Sequence, residues 1–281
     1  MKVLTTDQRK ICGVLIENVD LANLTDSDFE SLQQAFVEHG LLFFRDQSLS
    51  PKQHKSLANK FGDIVVNKIF KTLEGFPEIA VVSKDKQQTT NIGGGWHTDH
   101  SYDEEPAMAS ILVARELPSS GGATKFANMY AAYEGLSEGL KSTLGLIRAK
   151  HSNHHLYGKG GYFSNTDLSD KLAENVQVSS ATHPVIVIHP ESHKPVLYVN
   201  KAHTIGFDNW HDDEAFALLN FLYEHGSKPE YTCEFDWQPG SVAIWDNRST
   251  WHFANNDYQG EKRTLHRITI KGASLAGPVC G

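Results

Sequence analysis

Val242-Ala243-Ile244-Trp245-Asp246-Asn247-Arg248-Ser249-Thr250-Trp251-His252 opens on a run with three strand-favouring residues, Val242, Ile244 and Trp245, and arrives at a histidine. β-Branched and aromatic side chains suit a pleated, half-buried surface. Moving outward, Ile79 to Val82, Ser110 to Ala114, Val185 to His189, Val196 to Val199, Tyr231 to Trp237 and Leu265 to Ile270 have the same character. Short strands separated by turn signals favour a double sheet of the jelly-roll or cupin-like kind. The expected class is therefore mainly β with flanking helices. His189-Pro190-Glu191-Ser192-His193-Lys194-Pro195 reads as a hairpin connection between two of the strands.

The helices are expected at three places. Thr25 with Asp28 opens one whose Phe29, Leu32 and Phe36 share a face, and Gly40 closes it before a buried strand Leu41 to Phe44. Ser50, Pro51 and Gln53 start a second, which runs to Phe61 and Gly62. A third covers Asp212 to His225, with Phe216, Leu219 and Leu222 on one stripe. Lys84 to Gly95 and Tyr157 to Ser180 are polar, glycine-containing stretches with the character of mobile loops over a site. No internal repeat is evident.

A chain of 281 residues with 40% hydrophobic content can bury a large core, and a single domain spanning 1–281 is the default. A net charge of −8 and an isoelectric point near 6.0 disfavour the broad basic surface that nucleic acid or an anionic membrane requires. An anionic ligand must then be met by local arginines. Cys12, Cys233 and Cys280 fit neither a disulfide scaffold nor a cysteine metal site, so a reducing cytoplasm suits the chain. Met1 to Lys10 is polar, without a leader's apolar core, and no stretch approaches a membrane span. Homo-oligomerisation stays open.

The chemistry is carried by Trp96-His97-Thr98-Asp99. On a strand, side chains two apart point the same way, which puts the His97 imidazole beside the Asp99 carboxylate. His252 would complete a two-histidine, one-carboxylate set, the arrangement of non-haem Fe(II) oxygenases with open positions for other ligands. A lone His-x-Asp is weak, since the chain has 15 histidines and 34 acidic residues. The ordered series is stronger: His97, Asp99, Gly121-Gly122-Ala123-Thr124, Trp245-Asp246-Asn247-Arg248, His252, Arg263 and Arg267. Arg263-Thr264-Leu265-His266-Arg267 favours a strand, on which both guanidiniums share a face and call for anions.

This series resembles the taurine dioxygenase and 2,4-dichlorophenoxyacetate dioxygenase family of Fe(II)/2-oxoglutarate-dependent oxygenases, from about Gly13 to Gly272. The resemblance implies a double-stranded β-helix core and Fe(II) bound by His97, Asp99 and His252. It also implies 2-oxoglutarate anchored through its distal carboxylate by Thr124 and Arg263, and a substrate anion facing Arg267. The implied reaction consumes O2, releases succinate and CO2, and hydroxylates the substrate. Asp99 stands where related halogenases carry a small residue, which implies hydroxylation instead of chlorination.

Against the taurine enzyme, Asn67 and Phe70 fall where a histidine and a tyrosine are expected, Gly93 replaces an asparagine and His203 a phenylalanine. Each lost buried donor removes ~1 to 3 kcal/mol of anion binding. The expected substrate is a small organic anion other than taurine, a carboxylate on a larger molecule, in a pocket bordered by Asn67, Phe70, Gly93, His100, Tyr102 and His203. The stretch Lys71 to Glu78 is similar to the phenoxypropionate-degrading branch. Trp96 and Trp251 flank two ligands and are expected to exclude water, whereas His151, His154 and His155 read as a polar surface segment.

Two other classes use parts of this pattern. A non-catalytic cupin-like metal-binding or ligand-sensing protein would be free to lose members of the set His97, Asp99, His252, Thr124 and Arg263. A zinc hydrolase on the same triad would leave Thr124 and the arginine pair without purpose. Oxygen-dependent succinate formation separates the oxygenase from both.

Overall fold

The computed structural model describes residues 2–5 and 12–278. Of the polar stretch 1–10 only 2–5 lie in this range, and Cys280 lies outside the described residues. Strands dominate, with few helices. The helices begin where local chemistry dictates. Thr25 and Asp28 form a reciprocal capping box on Asp26–His39, and Gly40 ends that helix at a φ of 68°. Ser50 and Gln53 do the same for Pro51–Phe61, with the proline in the first turn. Such a cap is worth ~1 kcal/mol, because it satisfies amides that the helix leaves unbonded.

The largest sheet among the described residues has nine strands. Its central path runs Leu41–Phe44, Val242–Asp246, Ala109–Glu116, Arg263–Ile270 and Phe76–Lys84. A three-stranded sheet of Thr232–Phe235, Thr124–Asn128 and Thr250–Ala254 faces it. Alternation along the central strands builds two cores. Leu42, Phe44, Ile111, Val113, Val242, Ile244, Ile268 and Ile270 pack with Leu32, Phe36 and Leu57 of the two helices. Leu41, Phe43, Leu112, Ala243, Trp245 and Leu265 turn the other way and meet Phe126 and Phe235 of the smaller sheet. Each Val, Leu, Ile or Phe among them contributes ~1.5 to 3 kcal/mol when fully buried. Arg263 and Arg267 have the parity of Leu265, so both guanidiniums are directed into the space between the sheets.

Several expectations need adjustment. The third helix spans Asp212–Gly226, and Ala215, Leu219 and Leu222 form its buried stripe. Phe216 is half exposed, because an i, i+3, i+6 series drifts off the face that i, i+4, i+7 holds. His151 is buried, on the strand Arg148–Ser152 against His183 and Tyr198, while His154 and His155 are exposed. His97 and Asp99 lie on no strand. His97 forms an isolated bridge to His252, and Asp99 sits in a turn that continues through His100, whose φ is 59°, to Tyr102. Lys84 is a buried strand residue and not part of a loop. The hairpin through His189 pairs Ile186–Ile188 with Pro195–Leu197 as expected. No described helix is long and apolar enough to cross a membrane.

Candidate metal and co-substrate site

The backbones of His97 and His252 exchange two hydrogen bonds, N–H to O at 3.1 and 2.8 Å. This bridge sets the imidazole rings 3.9 Å apart, centroid to centroid. Nε2 of His97 lies 3.9 Å from Asp99 Oδ1, and Nε2 of His252 lies 3.9 Å from Asp99 Oδ2. One donor atom from each of the three residues falls within 4.8 Å of the others, and all three are held away from solvent.

The protonation states suit a cation. His97 Nδ1 donates to the Gly95 carbonyl at 2.7 Å, which fixes the tautomer and leaves the Nε2 lone pair facing Asp99. Burial depresses both imidazoles, His252 strongly, with the neighbouring His97 adding to the effect there, so both are neutral near pH 7. Burial works against the charge on Asp99, but Arg267 and then His252 and His97 together hold its carboxyl well below the usual range. Two neutral imidazoles around a charged carboxylate are a donor set for a divalent cation.

Asp99 is itself gripped. Arg267 Nη1 donates to Oδ1 at 2.8 Å and Ser110 Oγ to Oδ2 at 2.8 Å. Ser110 in turn accepts from Asn247 Nδ2, whose Oδ1 accepts from Trp245 Nε1. The Trp245 ring lies 4.7 Å from the His252 ring and is almost fully buried. Trp251 has the opposite strand parity and packs among Met129, Leu219 and Leu222 in a third core, so Trp245 and Phe126, not Trp251, shield His252 from water. Trp96 is half-buried and packs on Phe253.

Beside the triad, Arg263 Nη2 donates to Thr124 Oγ1 at 3.3 Å, and Trp237 Nε1 donates to the same oxygen at 2.9 Å. Arg263 is buried, its Nε finds no partner among the described residues, and the Tyr258 hydroxyl is beside it. A buried guanidinium without a carboxylate is costly unless an anion completes it. Arg263, Thr124, Arg267, His97 and His252 line one narrow chamber whose remaining walls include Ile92, Leu112 and Leu265.

A larger cavity of about 580 Å³ opens next to it. Gly93, His97 and His203 belong to its wall. Gly93 has a φ of 81°, and a Cβ there would sit 3.3 Å from His97 Cε1, so only glycine passes this close to the ring without strain. The other four expected pocket residues stand behind the wall. Asn67 Oδ1 accepts the Ile69 and Phe70 amides, Phe70 packs edge-on to Tyr157, Tyr102 packs edge-on to His203, and His100 Nδ1 bonds to Asp103. Arg267 is also absent from this wall. Sequence reasoning missed Tyr157, Tyr162, Phe163 and Lys201, which line the cavity. The signal was an aromatic trio inside a stretch read only as a polar loop.

That stretch is not free. Asp167 accepts from the Thr89 amide at 2.5 Å, the Thr89 hydroxyl at 2.9 Å and the Thr90 amide at 3.2 Å, and Lys171 pairs with Asp85 at 2.5 Å. Thr89 and Thr90 line the same cavity, so the two expected loops are fastened to each other along its rim.

Residues 6–269 match the family described as taurine catabolism dioxygenase TauD, TfdA family. The chain is 34% identical over 272 residues to an alkylsulfatase of Acinetobacter baylyi, covering 94% of this chain and 84% of that one. It is 30% identical to an (S)-phenoxypropionate/alpha-ketoglutarate-dioxygenase of Sphingobium herbicidovorans, covering 92% of each. The crystal structure of a taurine dioxygenase from Burkholderia xenovorans superposes with a TM-score of 0.81 at 31% identity, over 99% of this chain and 91% of that one. A structure of AAD-2 in complex with Mn(II) and N-oxalylglycine superposes with a TM-score of 0.79 at 25% identity, over 98% and 99%.

Proposed function

We propose, starting from the fact that the chain belongs to the TauD, TfdA family, how its own residues run the family's reaction. The protein is a 2-oxoglutarate-dependent non-haem iron dioxygenase that uses Fe(II), 2-oxoglutarate and O2. The observation that carries the residue assignment is the convergence of His97, Asp99 and His252 beside a buried arginine that lacks an anion. In this reading the three side chains hold the iron. When bound, Fe(II) supplies the activation of O2 that couples decarboxylation of 2-oxoglutarate to hydroxylation of substrate.

The protein's part is to bind, orient and exclude water. Arg263 and Thr124 take the distal carboxylate of 2-oxoglutarate, the guanidinium offering parallel N–H donors and the hydroxyl a further one. Trp237 keeps the Thr124 oxygen in place. Trp245 and Phe126 keep water from His252. Ser110 and Arg267 orient Asp99 by its two oxygens, which leaves the Nε side of Arg267 for an anion in the narrow chamber it shares with Arg263 and Thr124. Substrate lies in the large cavity, with Gly93 and His203 in contact and Asn67, Phe70, His100 and Tyr102 supporting the wall.

The two facing sheets support a double-stranded β-helix of the jelly-roll kind, built as one dioxygenase domain over the whole chain. The substrate is an organic anion other than taurine, a carboxylate on the reading of the sequence. The buried free thiols Cys12 and Cys233 suit a reducing cytoplasm. The test is succinate formation from 2-oxoglutarate, with and without O2, across a panel of organic anions. Succinate made only with Fe(II) and O2, and abolished in His97→Ala, Asp99→Ala and His252→Ala, is expected. Turnover that survives those replacements would overturn the assignment.

A further inference from the structure

The wall of the large cavity has a definite chemistry. Lys201 is its single lysine or arginine, and no Asp or Glu lines it. The Lys201 side chain is exposed and makes no ion pair or hydrogen bond with any described residue. Arg267, the arginine that the sequence assigns to the substrate anion, is already on Asp99 and lines only the narrow chamber. Leu156, Tyr157, Tyr162 and Phe163 stand in the same wall. The Tyr157 and Phe163 rings are stacked at 5.1 Å with 8° between planes, and Tyr162 meets Phe163 edge-on at 5.1 Å. Tyr162 is 57% exposed and lines the cavity, so its ring is open to contact with a ligand there. At about 580 Å³ the cavity is of the size that holds drug-sized molecules, roughly 300 to 1,000 Å³, and far exceeds the needs of a two-carbon sulfonate.

Resting on the dioxygenase reading of the site, we infer that the substrate is a monoanion with an extended apolar body, its charged group held by Lys201 and its body lying on Tyr157, Tyr162 and Phe163. Lys201 is then the residue that selects for charge, and the aromatic trio selects for length. An ammonium at an exposed mouth gives a modest gain, because water screens it, whereas the rings reward every methylene they cover. Selectivity for length is therefore steeper than selectivity for charge.

The test is calorimetric titration of the protein loaded with Fe(II) and 2-oxoglutarate under argon, where no turnover occurs. The probes are butanoate, hexanoate and octanoate, with octan-1-ol as the uncharged comparison. Affinity is expected to rise about threefold or more for each two methylenes. Lys201→Gln weakens octanoate about threefold and Lys201→Glu about tenfold, with octan-1-ol unchanged in both. Tyr162→Ala, at an exposed position that does not endanger folding, flattens the dependence on chain length, as does Phe163→Ala. Octanoate binding that is unchanged in Lys201→Glu, or that does not improve with length, overturns the inference. So does loss of octanoate in Arg267→Ala with full binding in Lys201→Glu, or no binding of any member. Failure of the dioxygenase reading shows separately, as absent uptake of 2-oxoglutarate in the loading step.

Discussion

The Arg267 guanidinium donates to Asp99 Oδ1 at 2.8 Å, both groups being buried, so the second arginine of the strand is bonded to a member of the ligand set itself. A carboxylate fixed at one oxygen by Arg267 and at the other by Ser110 keeps its charge and its orientation before any cation arrives.

Arg267→Ala is accordingly expected to lower Fe(II) affinity about 10- to 100-fold, and Ser110→Ala by less, with the fold kept. Binding of Mn(II), followed by its paramagnetic resonance signal, measures this without turnover. Unchanged Mn(II) affinity in Arg267→Ala would show that the contact does not support the site.

Arg263→Lys is expected to raise the concentration of 2-oxoglutarate needed for half-saturation about 10- to 100-fold, since an ammonium cannot reproduce a fork of parallel donors. Thr124→Val has a smaller effect and also frees Trp237, whose indole fluorescence reports the loss. An Arg263→Lys enzyme with the parent's 2-oxoglutarate requirement would sink the assignment.

Acid is expected to destabilise the fold through His54. Its Nε2 donates to the Ile111 carbonyl at 3.2 Å, and burial, with Arg115 nearby, depresses its pKa to about 3. Between about 6.5 and about 3 the unfolded chain takes up a proton that the folded protein refuses, so stability falls with pH in that window by up to ~1.4 kcal/mol per unit. His54→Gln is expected to lose about 2 kcal/mol less than the parent on moving from pH 6.5 to 4.5. Urea unfolding midpoints at the two pH values decide it, and parallel losses in both proteins would contradict it.

Gly93→Ala is expected to cost ~1 to 2 kcal/mol through the left-handed backbone and to press on His97, at 3.3 Å from Cε1. Thermal unfolding and Mn(II) titration should both register it. A variant as stable and as tight for Mn(II) as the parent would remove the steric argument.

Much of this site is legible in the sequence because the chemistry tolerates few residue types. His97, Asp99 and His252 announce themselves as a set, and Thr25 and Ser50 mark helix starts by purely local rules. The strands Thr124–Asn128 and Thr250–Ala254 are not legible in the same way, since polar residues that face the site break the alternation a strand usually shows. The Arg267 contact with Asp99 depends on side chains 168 positions apart, which no local pattern encodes. Phe70 and Tyr102 were expected at the pocket, but aromatic packing on Tyr157 and His203 holds them one layer back.

The paired main-chain bonds between His97 and His252 join two distant stretches of chain without using either imidazole. Stripping the metal, or truncating one ring, leaves that seam closed. A His97→Ala enzyme would thus keep an imidazole-shaped vacancy with its rim intact, and free imidazole added to the solution could lodge there and restore part of the lost metal affinity.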